Sequence, residues 1–359
     1  MNINVQSKDV KAVMNKVNKC VSRKPSNLPV LNSVHVSATN GRIVLRATDL
    51  SVELTASIPA NVIEGGACLI DKKRLLELAS GKFGKSLTIT APNDGVVVNG
   101  LQLPQQELKD YPPSPAWFED ANTPTDETYV MMGVDTSDLK AVLHAASKDD
   151  ARPVLQGIST NFKSMAATDG FRISVVQYPN REPAKRSMII SSQIVPVLYD
   201  GMLLTFVGYK DWIGTRWEEE DIQYRMIAQA IEGNFPDWQR ILPATWKHTC
   251  SFNKTNMVEA VTKAGMIAKE GVCQVILNIT SDTIRVSAKA EGAGEWSGNV
   301  PASNETTGLD IAFNYTFLLD AMKAMPRDVL IFKLNAPNTP AMFEDGMYSE
   351  IIMPMHIDK

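Results

Sequence analysis

The chain has 359 residues, is 44% hydrophobic and 21% charged, and balances 36 basic against 40 acidic side chains for a net charge of −4. That is ordinary globular composition with room for two or three cores, and it gives no bulk basic charge for nucleic acid. No basic leader with an apolar centre opens the sequence, and no apolar run reaches the roughly 18 residues of a membrane span. The four cysteines (Cys20, Cys68, Cys250, Cys273) lack CxxC spacing, which suggests reduced thiols, a cytoplasmic setting and no structural zinc.

In chain order, Val5 precedes an amphipathic helix over 8–20. Its apolar face is Val10, Val13, Met14, Val17 and Cys20. At about 100° per residue, Lys8, Lys11, Lys16 and Lys19 fall within an opposite arc of roughly 140°. Arg23 and Lys24 follow it. Two short strands then meet across Asn40-Gly41, the dipeptide that suits a tight hairpin. Cys68-Leu69-Ile70 leads into a second helix opening Asp71-Lys72-Lys73-Arg74, and strands around Leu87–Thr90 and Val96–Val98 pair across Asn93-Asp94-Gly95. The proline-rich stretch from Tyr111 to Pro124 marks a boundary.

The pattern then repeats. A helix opens at Asp138-Leu139-Lys140 and another at Ser191-Ser192-Gln193; a third round opens at Asn256-Met257-Val258 and Asn314-Tyr315-Thr316. Ala47-Thr48-Asp49 and Ala167-Thr168-Asp169 each close an apolar strand. A repeat this long implies tandem similar domains rather than a solenoid. The expected fold is α+β, with three domains at 1–124, 125–244 and 245–359, each a duplicated helix-plus-antiparallel-sheet unit.

Covalent chemistry finds no support. Gly81-Lys82-Phe83-Gly84-Lys85-Ser86 lacks the first glycine of a phosphate loop, and it follows a helix where such a loop follows a strand. The four histidines are scattered, without HExxH, and no G-x-S-x-G occurs. The aspartates of the two Ala-Thr-Asp triplets read as turn formers that accept backbone N–H groups, not as paired catalytic carboxylates. No enzyme activity, cofactor or metal is expected.

Several segments together resemble the bacterial DNA polymerase III β subunits, the β sliding clamps. They are Leu28-Pro29-Val30-Leu31-Asn32, Arg152-Pro153-Val154-Leu155-Gln156-Gly157-Ile158, Ala167 to Ile173, Glu232 to Trp238, and the closing Ile351-Ile352-Met353-Pro354-Met355. The resemblance spans the whole chain. It departs at Phe171, where histidine is frequent, at Pro153-Val154, where aromatics often occur, and at the tail His356-Ile357-Asp358-Lys359 beyond the usual end.

The resemblance implies a clamp fold in a ring-shaped, head-to-tail homodimer that encircles double-stranded DNA without reading its sequence. It implies partners that include the polymerase III α subunit, the clamp-loader δ subunit and other proteins carrying a short motif with a glutamine and terminal hydrophobics; a membrane is not among them. DNA contacts are expected from Lys8, Lys11, Lys16, Lys19, Arg23, Lys24, Lys148 and Arg152. The motif pocket carries over onto Leu155, Thr168, Gly170, Phe171, Arg172, Ile173, Pro236, Arg240, Ile241, Ile351, Met353, Pro354 and Met355. Ring closure is assigned to Leu101 and Leu103 on one chain and Met266 and Ile267 on the other. A nucleic-acid enzyme, or a peptide-binding scaffold without DNA, are the competing readings; the first lacks a carboxylate cluster or nucleophile, and the lysine stripe disfavours the second.

Overall fold

The computed structural model describes residues 1–21, 28–92, 95–104, 106–115, 128–183, 187–209, 211–304 and 308–357. These form three antiparallel sheets, of five, eight and twelve strands, and five α-helices: α1 Ser7–Cys20, α2 Lys72–Leu78, α3 Thr136–Val142, α4 Lys254–Ala268 and α5 Tyr315–Ala324.

The chain divides into two compact units that interleave in sequence. One is built from Met1–Ser137 and Ile190–Ile231, the other from Asp138–Ile189 and Glu232–Lys359. The segment expected to form a central domain thus contributes to both.

The five-stranded and eight-stranded sheets belong to the first unit. Helix α1 forms because its apolar residues recur at helical spacing, and Val10, Val13, Met14, Val17 and Cys20 are all buried. Each such side chain, fully buried, contributes about 1.5–3 kcal/mol relative to exposure. In the eight-stranded sheet, Val52–Pro59 pairs with Ile222–Gln229, which joins the first third of the chain to the central third. Glu53 lies buried on that seam, held by Arg46 (3.2 Å), Arg225 (3.0 Å) and Ser114 (2.5 Å). Ser114 belongs to the proline-rich stretch, and Tyr111 just before it donates from its hydroxyl to the Arg46 carbonyl at 3.0 Å.

In the second unit the twelve-stranded sheet has an equivalent seam, Arg172–Gln177 against Tyr348–Ile352, here joining the central and last thirds. Its core packs Phe252, Phe313, Phe332 and Phe343 against α4 and α5. Both α4 and α5 begin with an asparagine N-cap: Asn253 accepts from Asn256 N–H and Asn314 from Thr316 N–H.

One expected helix is absent. The segment opening at Ser191 closes only a single 3₁₀ turn, Val195–Val197, because Pro196 has no N–H to extend the ladder. The stretch Gly81–Ser86 is the turn between α2 and the strand Ser86–Thr90, with Ser7 Oγ donating to the Gly84 carbonyl at 2.8 Å. It is a helix-to-strand connection, as the order of elements required. Of the four free cysteines, Cys20, Cys68 and Cys250 are buried, and burial pushes their thiols up to about 12, 12 and 11, so these three are unreactive.

Candidate peptide-docking site

Each Ala-Thr-Asp triplet builds the same turn. Asp49 Oδ1 accepts from the N–H groups of Ser51 (3.0 Å) and Val52 (2.9 Å), while Thr48 Oγ1 donates to the Val52 carbonyl at 2.9 Å. Asp169 Oδ1 accepts from Phe171 (2.9 Å) and Arg172 (3.1 Å), and Thr168 Oγ1 donates to the Arg172 carbonyl at 2.7 Å. The reading of these aspartates as turn formers holds.

The second turn carries three further features. Gly170 sits at φ +94°, a conformation that favours glycine, and a Cβ there would meet only the mobile end of Arg152, Nη1, at 3.0 Å. Phe171 is 60% exposed, while Thr168 and Ile173 on either side of the turn are buried. The Phe171 carbonyl accepts from Met353 N–H at 2.9 Å, which brings the last strand's exit onto the turn.

Beneath lies a small apolar core in which Ile173, Val175 and Ile351 pack with Ala166, Met342 and Trp238, flanked by Phe235. Trp238 opens the 3₁₀ turn Trp238–Ile241, on which Ile241 is exposed. Three segments far apart in sequence therefore share one core and leave Phe171, Ile241 and Met353 uncovered. Of the pocket residues named from the sequence, Leu155, Thr168, Ile173 and Ile351 are buried supports, Gly170 and Pro236 are exposed, and Pro354 and Met355 are half-buried. Met355 N–H donates to the Ala312 carbonyl at 2.7 Å, and Gln274 Nε2 donates to the His356 carbonyl at 2.7 Å, which pins the tail along the strand Leu309–Asn314.

The two arginines expected to hold the peptide are placed differently from each other. Arg240 is exposed and pairs only locally with Asp237 at 2.9 Å. Arg172 is nearly covered and uses three of its five N–H donors: Nε on Asp169 Oδ2 (3.0 Å), Nη1 on Asp320 Oδ2 (2.7 Å) and Nη2 on the His144 carbonyl (2.6 Å), with the guanidinium 4.4 Å from the Phe317 ring centroid.

Sequence reading missed Asp320, His144 and Glu350. His144 Nε2 lies 3.1 Å from Glu350 Oε2, and Ser174 donates to the other oxygen of that carboxylate, which is only 3% exposed. Burial raises the Glu350 pKa; burial would lower that of His144, but the Glu350 carboxylate outweighs it and the ring is held above its ordinary value. No local pattern could reveal this pair, since the partners lie 206 residues apart.

The candidate DNA residues also separate. Lys8, Lys11 and Lys19 are exposed along α1, as is Lys148 on its loop. Lys16 is committed within its unit: Nζ contacts Glu219 at 2.7 Å and the Val197 carbonyl at 2.8 Å, and lies 5.2 Å over the Tyr224 ring. Arg152 pairs with Asp149 at 3.0 Å and its guanidinium stands beside Gly170. Arg23 and Lys24 lie outside the described residues. The stripe does not recur on α4, where Lys263 pairs with Glu259 (2.7 Å) and Lys254 donates to the Met325 carbonyl (3.0 Å).

At the positions assigned to ring closure, Leu101 is 43% exposed on the outermost strand of the five-stranded sheet, whereas Leu103 at 9% points into its own core. On α4, Met266 is 64% exposed, and Ile267 packs against the core beneath the helix. Only Leu101 and Met266 of the four are presented outward. Among the described residues no group of three or more His, Cys, Asp or Glu could hold a metal ion, and no helix is long and apolar enough to cross a membrane.

Comparison with known proteins agrees along the whole chain. Residues 1–114 match the N-terminal domain, and residues 239–356 the C-terminal domain, of the DNA polymerase III beta subunit family. The beta sliding clamp of Synechocystis is 23% identical over 380 aligned positions, covering 96% of this chain and 95% of that one. The solved DNA polymerase sliding clamp of Bacillus subtilis superposes with a TM-score of 0.85 at 18% identity, covering 100% of both chains. The clamp of Pseudomonas aeruginosa solved bound to griselimycin gives 0.83 at 19% identity, over 99% of this chain and 100% of that one. With its N-terminal and C-terminal thirds each matching that family's own domains, the chain belongs to the DNA polymerase III β-subunit family, the β sliding clamps.

Proposed function

We propose that this protein is a sliding clamp, a non-catalytic processivity factor that closes as a head-to-tail homodimer around duplex DNA and tethers the replicative polymerase and other motif-bearing partners. Three domains, 1–124, 125–244 and 245–359, are the repeating parts of that ring, and the cytoplasm is its compartment. The observation that carries the tethering role is the convergence of the Thr168–Ile173, Pro236–Ile241 and Ile351–Met355 segments on one core with Phe171, Ile241 and Met353 left uncovered. An exposed aromatic, aliphatic and methionine surface accepts varied apolar side chains. Lys8, Lys11, Lys19 and Lys148 supply phosphate contacts that carry no sequence information, as sliding requires. A local positive stripe is compatible with an acidic protein, because field depends on distribution rather than net charge.

The test is retention on nicked circular DNA after loading, compared with the same DNA linearised. Retention lost only on linearisation indicates a topological link; equal retention, or none on either, removes the clamp reading. Ring closure is tested separately with Met266→Asp, expected to yield a folded monomer by gel filtration.

A further inference from the structure

We propose that Arg172 and Asp320 are positioning residues for the docking site, forming a clasp that fixes the Thr168–Arg172 turn against α5 so that Phe171 and Gly170 are presented in a single pose. This rests on the peptide-docking reading of that surface. It inverts the expected role of Arg172, from a ligand contact to a strut.

The geometry supports this directly. The Thr168 and Asp169 hydrogen bonds hold the backbone shape of the turn, and the seam with the Met353 N–H bond to the Phe171 carbonyl holds it along the last strand. Arg172 adds its placement against α5. One guanidinium reaches back to Asp169, across to Asp320 on α5 and sideways to the His144 carbonyl, while stacking on Phe317 of the same helix. A planar fork with several fixed donors can hold three groups in one relative geometry, which lysine cannot do. The His144 ring continues the network to Glu350 and Ser174, on the two strands of the seam. The clasp therefore spans α3's exit, the turn, the seam and α5.

Phe171 follows Gly170 at φ +94° and has no side-chain cover of its own, so its direction is set by how the turn is held. A pre-set aromatic lowers the ordering cost of binding. Asp320 is about half covered, so the ion pair contributes modestly to stability, and its removal should register in binding before it registers in folding.

The experiment measures the affinity of a fluorescent synthetic peptide, carrying a glutamine followed by two hydrophobic residues at its end, for the full-length protein. The variants are Asp320→Asn, Asp320→Glu, Arg172→Lys, the Asp320→Asn/Arg172→Lys double, and a deletion of Met353 to Lys359. Asp320→Asn should weaken binding roughly fivefold, Asp320→Glu should restore most of it, and the double should be no weaker than the poorer single variant, as for residues acting as one unit. The melting temperature and the dimer mass of Asp320→Asn should match the parent.

Unchanged or tighter binding by Asp320→Asn overturns the clasp, because it would mean that Arg172 meets the ligand by itself. Weakened binding that Asp320→Glu does not rescue, or additive losses in the double, overturns it too. The deletion tells the two readings apart. If it leaves affinity intact, the docking site itself has been placed wrongly; if it abolishes binding while Asp320→Asn does not weaken it, only the clasp fails.

Discussion

The turns at Thr48–Val52 and Thr168–Arg172 are the same piece of structure put to two uses. Both form the same aspartate and threonine hydrogen bonds, and both feed the strand that makes a seam with another third of the chain. They differ in three side chains. Leu50 holds a left-handed conformation at φ +74° where the second turn has Gly170; Ser51 stands where Phe171 projects; Val52 stands where Arg172 reaches α5. A strained leucine half in solvent is tolerated because nothing is built on it. In the second turn a Cβ would stand 3.0 Å from Arg152 Nη1, so a side chain there would push that guanidinium aside. A repeated turn thus became a candidate site by losing one side chain and gaining an aromatic and a strut.

The most damaging way to erase the difference is Gly170→Leu. The left-handed conformation costs a non-glycine residue about 1–2 kcal/mol, and the new Cβ displaces Arg152. We expect a lowered melting temperature and peptide affinity reduced about tenfold or more, read by the same fluorescence titration. Peptide affinity equal to that of the parent would mean that the turn's shape is irrelevant to docking.

Removing the aspartate from each turn sharpens the comparison. Asp49→Ala and Asp169→Ala each lose two backbone hydrogen bonds, about 1–2 kcal/mol in all, by chemical denaturation. Only Asp169→Ala should also weaken the peptide, since only Asp169 holds Arg172. Leu50→Gly is expected to act in the opposite sense: relief of strain slightly exceeds the added entropy of the unfolded chain, a gain of about 0.5 kcal/mol with peptide binding unchanged.

The seams differ as well, and here the effect is smallest. Glu53 is caged by guanidinium groups, which stay charged throughout the working range, whereas Glu350 is paired with a histidine. His144 and Glu350 both bind their protons more tightly folded than unfolded. The His144 contribution is therefore complete below the ordinary histidine value near 6.5 and is lost as pH rises through the higher folded value. The stability difference between the parent and His144→Gln should narrow as pH rises above about 6.5. A difference that widens as pH rises would reverse the assigned direction.

Much of this was legible in the sequence where the signal is local. Helix α1 follows from its apolar spacing, the first hairpin from Asn40-Gly41, and the turns from Thr-Asp. The segments 168–173, 236–241 and 351–355, which contribute to one small core, are also among those that carry the family resemblance. What could not be read is pairing across distance. The seams at 52–59 with 222–229 and 172–177 with 348–352 divide the central third between two units, which a linear domain reading does not reveal. Lys16 looked like its neighbours on the stripe until Glu219, Trp217 and Tyr224 were seen folded beside it. Arg172 looked like a rim residue, yet three of its five donors go to Asp169, Asp320 and the His144 carbonyl.

Backbone hydrogen exchange of the full-length protein, with and without the glutamine-containing peptide, tests the contrast between the two turns most directly. Slowed exchange should appear in 168–173, 236–241 and 351–355, with 48–52 unchanged. Protection at 48–52, or none at 168–173 while the peptide is bound, would contradict it.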